Sequence, residues 1–230
     1  MSDLRIAIVA EGPTDLIVIE SALKAFLGKP FVATLLQPEM SAAFSPFGST
    51  GGGWGGVYRW CERVVKELGS LGAHQLLFGS YDLLILHIDT DVADQTYKDA
   101  NITPTSKDLP LPCAKPCPPP SDTADEIRRV ALSWVNEPSL PPKTAFCVPA
   151  TSTETWVLAS LFPSDPLVVR GAECAPDAEG HLGRQPKKQR VRKTRRDYDQ
   201  RRNDLTAAWP RVARLLSQAG RFQADILALP

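Results

Sequence analysis

Missing from this chain is any apolar run long enough to cross a bilayer: runs such as Leu83-Leu84-Ile85-Leu86 fall far short of the roughly 20 residues a spanning helix needs. The opening Ser2-Asp3 likewise lacks the basic and apolar blocks of a secretion signal. Both absences lead to the expectation of a cytoplasmic chain with no membrane partner. Cysteine is sparse: Cys61, Cys113, Cys117, Cys147 and Cys174 are odd in number and scattered, which argues against a disulfide framework. Cys113 and Cys117 have the spacing of half a zinc site, but no second Cys/His pair matches it, so structural zinc is not expected. Nucleotide motifs are absent too. The segment Gly48-Ser49-Thr50-Gly51-Gly52-Gly53-Trp54-Gly55-Gly56 lacks the Gly-Lys-Ser/Thr ending of a phosphate loop, and no G-x-G-x-x-G follows a strand. It reads either as a flexible connector or as a contact for a substrate backbone.

Net charge is zero, yet the charges are segregated. Between Arg184 and Arg202 lie ten of the 26 basic residues and only two acids, Asp197 and Asp199, so this segment carries +8 and the remainder −8. An acidic body with a basic arm suits a polyanion held beside bound cations, although charge runs are also common as solvated surface.

What is present is an alternation of strands and helices. Leu4 to Ala10 has strand length and ends at Glu11-Gly12-Pro13, after which Leu16, Ile19, Leu23 and Phe26 follow helical spacing up to Gly28. Phe31–Leu36 reads as a second strand. Val57, Trp60, Cys61, Val64, Val65 and Leu68 mark a second helix. Leu83–Ile88 is the most strand-like run, apolar enough for a central strand covered on both faces. His87 within it reads as a hydrogen-bonded core histidine rather than a ligand. A proline-rich loop spans residues 101–120. Thr123 to Glu126 and Thr151 to Glu154 are spaced as capping boxes at the starts of two further helices. Thr144–Val148 reads as the last strand, and one helix, Leu205–Leu216, is expected near the end. The prediction is an α/β fold, a mainly parallel sheet flanked by helices, with a core at residues 1–162 and a basic, partly helical C-terminal extension at 163–230.

In open α/β sheets ligands bind at the carboxyl ends of the strands. If the strands ending at Ala10, Ile88 and Val148 are neighbours, Glu11, Asp89, Asp91 and Glu154 converge there, with Asp15 four residues beyond Glu11. Like charges so close raise one another's pKa, and a divalent cation removes the conflict. Mg²⁺ takes oxygen ligands and keeps waters, leaving room for a phosphate. Strand alternation would put Asp89 and Asp91 on one side. The alternative is structural: Asp91 capping the next helix, Asp15 complementing a helix dipole, Glu11 ending a strand by chance and Glu154 closing a capping box.

A strand ending in Glu11-Gly12, an acid at Asp15 and a central strand ending in Asp89-Thr90-Asp91 resemble the TOPRIM domain of topoisomerases, DnaG-type primases, small ribonucleases and OLD-family nucleases. Glu11-Gly12-Pro13-Thr14-Asp15 is most similar to the OLD-type version. Glu154 with Trp156 resembles small stand-alone bacterial TOPRIM-like proteins. Val92 stands where a glycine is common, and Asp15 where the OLD pattern has glutamate. The resemblance covers about Leu4 to Leu161 and implies a four-stranded parallel, Rossmann-like sheet. It also implies Glu11 as metal ligand or general acid/base, Asp89 and Asp91 as catalytic metal ligands, and Asp15, Ser152 and Glu154 as candidates for a second ion.

The expected function is hydrolysis of phosphodiester bonds in DNA or RNA with Mg²⁺ or Mn²⁺, the arm Lys187, Lys188, Arg190, Arg192, Lys193, Arg195 and Arg196 gripping the backbone without reading sequence. By analogy with OLD-like relatives, a separate ATPase subunit and a role in phage defence follow. The alternative is a non-catalytic nucleic-acid or protein-binding module. Strand passage would need a nucleophilic tyrosine, and Tyr58, Tyr81, Tyr97 and Tyr198 have no supporting context.

Overall fold

The computed structural model describes residues 3–38 and 51–229; Gly48, Ser49 and Thr50 of the glycine-rich segment lie outside the described residues. Four parallel strands form one sheet in the order β2-β1-β3-β4, with β1 at Leu4–Val9, β2 at Phe31–Gln37, β3 at Leu83–His87 and β4 at Thr144–Cys147. β1 and β3 are the inner strands, paired from Ile6↔Leu83 to Val9↔Leu86, and β3 pairs with β4 from Leu84↔Thr144 to His87↔Cys147. Their apolar runs are continuous because both faces are covered. Ile6, Ile8, Leu83, Ile85, Ala145 and Cys147 enter one core, while Ala7, Val9, Leu84, Leu86 and Phe146 enter the other.

The second core is built on α2 (Gly53–Leu68), α3 (Gln75–Ser80) and α4 (Pro120–Trp134). Trp54, Tyr58, Tyr97 and Trp134 pack there as an aromatic cluster, with Trp54 stacked on Trp134 at 6.1 Å. The described part of the glycine-rich segment is anchored: the Gly53 amide donates to the Glu11 carbonyl, and the Gln37 side chain donates to the Gly51 carbonyl. A Cβ on Gly56 would come within 2.4 Å of that same Gly51 carbonyl oxygen, so the close approach requires glycine.

On the opposite face lie α1 (Pro13–Phe26), α5 (Thr153–Leu161), α6 (Pro166–Gly171), α7 (Ala178–Arg184), α8 (Arg195–Asp199), α9 (Arg202–Leu215) and α10 (Ser217–Leu227). Leu205, Trp209, Val212, Phe222 and Ile226, all beyond residue 163, belong to the same buried cluster as Ile6, Ile8 and Ile19. The chain end supplies several helices where one was expected. α10 buries Ala219, Phe222 and Ile226, spaced three and four residues apart.

Neither capping box forms. α4 starts at Pro120, where the missing amide hydrogen costs nothing, and the Thr123 hydroxyl instead accepts from the Lys115 amide at 3.0 Å. Ser152, not Thr151, occupies the cap position of α5; Thr151 has a left-handed backbone, φ 60°, and its hydroxyl pairs with that of Thr155.

The cysteines form no framework, but one bridge is present. Cys117 and Cys174 are bonded, their Cα atoms 5.4 Å apart, closing 57 residues of chain. The same bond takes Cys117 out of any pairing with Cys113. An odd count excludes a fully paired set and leaves room for this single bridge between a proline-rich loop and the turn after α6. In a reducing cytoplasm such a pair rests as thiols; in an oxidising compartment it rests as the bond. For a loop of this length Cys174→Ser is expected to cost about 2–4 kcal/mol relative to the oxidised protein. Urea unfolding with and without reductant measures it: the wild type should lose the difference on reduction and the variant should not respond.

Candidate functional site

Acids from several chain segments meet at the carboxyl edge of the sheet. Glu11 follows β1, and its Oε1 accepts the backbone N–H of Asp89, which follows β3, at 2.8 Å. Asp15 stands in the first turn of α1, buried, with its Oδ1 taking the Thr153 hydroxyl at 2.6 Å. Thr153, first residue of α5, also gives its backbone N–H to Asp89 Oδ1 at 3.1 Å. One threonine thus fixes two carboxylates contributed by β3's end and α1.

His87 completes the group. Alternation along β3 sends Leu83, Ile85 and His87 to the α1/α5 face, and the ring is fully buried there. Its Nε2 lies 3.1 Å from Asp89 Oδ1 and its Nδ1 4.0 Å from Asp15 Oδ2. Asp15, His87 and Asp89 each offer a ligand atom within 4.8 Å of the others. His87 is the hydrogen-bonded core histidine the sequence led one to expect: it is fully buried, with Nε2 against Asp89 and Asp15 beyond its other nitrogen. The sequence signal was its place at the end of the strand, two residues before Asp89.

Asp91 departs from expectation. The strand ends at His87, and Thr90–Asp94 winds into a 3₁₀ helix, so the two-residue alternation stops short of Asp91. Asp89 is buried while Asp91 is exposed at the mouth of a pocket of about 490 Å³, where the surrounding walls still raise its pKa. Ser152 and Glu154 line the same pocket. The metal set expected from sequence therefore splits into Asp15 and Asp89 in the tight buried group, Glu11 bonded to its edge, and Asp91, Ser152 and Glu154 along the pocket wall, Asp91 exposed and Glu154 buried.

Glu154 is a buried carboxylate whose two oxygens take the Tyr198 hydroxyl at 2.8 Å and the Lys193 ammonium at 3.2 Å. Both partners come from the basic segment. The stem of Lys193 is partly buried, which opposes its charge, but Glu154, Asp15 and Asp89 outweigh this and raise its pKa. Lys187, Lys188, Arg190, Arg192, Arg195 and Arg196 are exposed, and Arg195 pairs with Asp199. Of the arm, Lys193 is thus the residue seen against the acids. Tyr198 is locked as a donor to Glu154, with burial and that carboxylate driving its pKa up, which unfits it as a nucleophile.

Burial raises the pKa of Glu11 and of Asp89, with the neighbouring Asp89 charge adding at Glu11 and the Asp15 charge adding at Asp89. The folded protein then holds protons that the unfolded chain has already released. This contribution to stability is full below the ordinary carboxylate range, about 4, and is lost as pH rises through the raised values. The metal-free protein should therefore melt at lower temperature as pH climbs across that window, and Glu11→Gln should flatten the slope. Calorimetry across pH, with and without Mn²⁺, checks both, since a cation removes the penalty.

Among the described residues no helix is long and apolar enough to cross a membrane. Compared with protein-family models, with curated proteins and with solved structures, the chain matches none, and its functional reading rests on the site itself.

Proposed function

We propose that the protein is a divalent-metal-dependent nuclease of TOPRIM-like design, hydrolysing phosphodiester bonds in DNA or RNA. The observation that carries this reading is the meeting of Glu11, Asp15 and Asp89 at one strand edge with Lys193 reaching the same cluster. Several acids sharing a small buried volume with one ammonium remain under-compensated, and Mg²⁺ or Mn²⁺ answers that deficit. The fit is supported by His87 Nδ1, a buried ring nitrogen with no hydrogen-bond partner. Asp15 and Asp89 would hold the cation, with Glu11 and Asp91 beside it.

When bound, such an ion acts as a Lewis acid toward a phosphoryl oxygen and lowers the pKa of a water. The chain supplies the rest. Glu11, whose pKa burial and the Asp89 charge raise, is suited to protonate the leaving oxygen. Lys193 draws the phosphate toward the edge, and Lys187, Lys188, Arg190, Arg192, Arg195 and Arg196 hold the flanking backbone by charge alone. The proposal extends to a cytoplasmic role in phage defence beside a separate ATPase subunit.

Incubation of the purified protein with end-labelled DNA and RNA in Mg²⁺, Mn²⁺ or chelator tests the reading. Cleavage that the chelator stops is expected. Binding that fades steeply with salt, with no cleavage under any metal, would instead identify a non-catalytic module.

A further inference from the structure

The pocket in front of the acids has two walls that the chain builds separately. One is the strand edge, with Asp91, Ser152 and Glu154; the other joins the proline-rich loop at Lys115 and Cys117 to the turn after α6 at Cys174. The turn is anchored independently of the loop. Ala172 is buried in the same core as Ile6 and Ile8, and the Glu173 carboxylate takes the Ser217 and Gln218 amides at 2.7 and 2.8 Å. The loop depends on the bridge. Its last anchored amide before α4 is that of Lys115, given to the Thr123 hydroxyl. Beyond it stand Pro116, Pro118 and Pro119, none with an amide hydrogen. Among the described residues, every hydrogen bond or covalent link from this stretch to residues 172–179 runs through Cys117.

We propose that the bond between Cys117 and Cys174 is a redox latch on the pocket: oxidised, it holds the proline-rich wall across the entrance; reduced, it releases that wall and admits a polymeric phosphodiester. The proposal rests on the nuclease reading above and adds how that site is regulated. Both cysteines are exposed, so a small dithiol reaches them. Its thiolate attacks one bridge sulfur and expels the other cysteine as thiolate. Its second thiol then breaks the mixed disulfide, so the reagent leaves as a cyclic disulfide and its two electrons and two protons pass to Cys117 and Cys174. Cys61 and Cys147 are buried, and burial pushes the half-buried Cys113 thiol up to about 11, so none of the three competes for the bridge near neutrality. A cavity of about 490 Å³ is of small-ligand size; a small diester enters in either state, whereas a chain must also pass between the walls. The acids lie outside the latch. Glu11 is bonded to the Asp89 amide, and Asp15 and Asp89 to Thr153, so metal affinity does not depend on the bridge.

Oxidised and dithiothreitol-reduced full-length protein, compared by ¹⁵N relaxation without metal and by activity once the reagent is removed, test the latch. The order parameter of the Cys117 amide should fall from about 0.85 to below about 0.6 on reduction, while that of Cys174 stays high. Cleavage of a long labelled strand at sub-saturating concentration should rise at least about tenfold, because an open form held to about 10% or less becomes the major one. Hydrolysis of bis(p-nitrophenyl) phosphate and Mn²⁺ affinity should be the same in both states. A folded Cys117→Ser protein should behave as the reduced form with or without the dithiol. Equal cleavage of the long strand in both states, or a Cys117 amide that stays rigid, would overturn the latch and leave the nuclease reading intact. Loss of Mn²⁺ binding on reduction would also overturn it, showing the bridge to be a structural staple. No cleavage of strand or small diester in either state, with any metal, would overturn both.

Discussion

Asp89→Asn is expected to remove nuclease activity while making the metal-free protein more stable. Asparagine keeps an oxygen for the Thr153 amide and the His87 ring, so the local hydrogen bonds survive. What it removes is a buried charge that sits against Asp15, Glu154 and Asp91. Each unit by which the folded-state pKa stands above its ordinary value is worth about 1.4 kcal/mol of relief at high pH. The same charge is what a cation binds. Losing groups that merely orient metal ligands already costs about 10–100-fold, so losing this ligand should cost more than about a hundredfold in cleavage rate. Activity assays beside thermal melts at pH 8 separate the two effects. A variant both less stable and equally active would show Asp89 to be structural.

Trp156→Ala carries the largest expected stability loss. The side chain is 1% exposed and lies between Trp209 of α9, 5.3 Å away between ring centroids, and Phe222 of α10, 5.9 Å away. Removing it empties the junction where α5 meets the C-terminal helices, at about 3–5 kcal/mol. Trp156→Phe should cost less, because it keeps a ring and deletes an indole N–H that finds no acceptor. The urea midpoint should fall without a change in slope if the native state keeps its extent. Since Thr153 and Glu154 precede Trp156 on the same short helix, loosening this junction should also weaken Mn²⁺ binding.

The strands were legible because each buried run is short, apolar and stopped by a marked residue: Glu11-Gly12 after β1, Asp89 after β3 and Pro149 after Cys147 and Val148. Parallel order followed from the helices between them. Glu11, Asp15 and Asp89 were legible for the same reason, as polar residues at places where the chain must leave the sheet. Asp91 was misplaced because periodicity says nothing about where a strand gives way to a 3₁₀ turn. Glu154 looked like half of a capping box, a local reading, and its real partners Tyr198 and Lys193 lie about forty residues away, a distance no spacing rule reaches. Thr153 was silent, since a threonine at a helix start has an ordinary meaning; its contacts to Asp15 and Asp89 come only with the fold. The Cys117 to Cys174 bridge was hidden for the same reason.

The most direct measurement is anomalous diffraction from crystals of the protein soaked in Mn²⁺. The predicted result is a peak at the carboxyl edge of the sheet, bonded to Asp15 and Asp89, with Glu11 alongside. Crystals that bind the ion elsewhere, or that keep Asp15 and Asp89 compensated by Lys193 alone with no peak between them, would contradict the account.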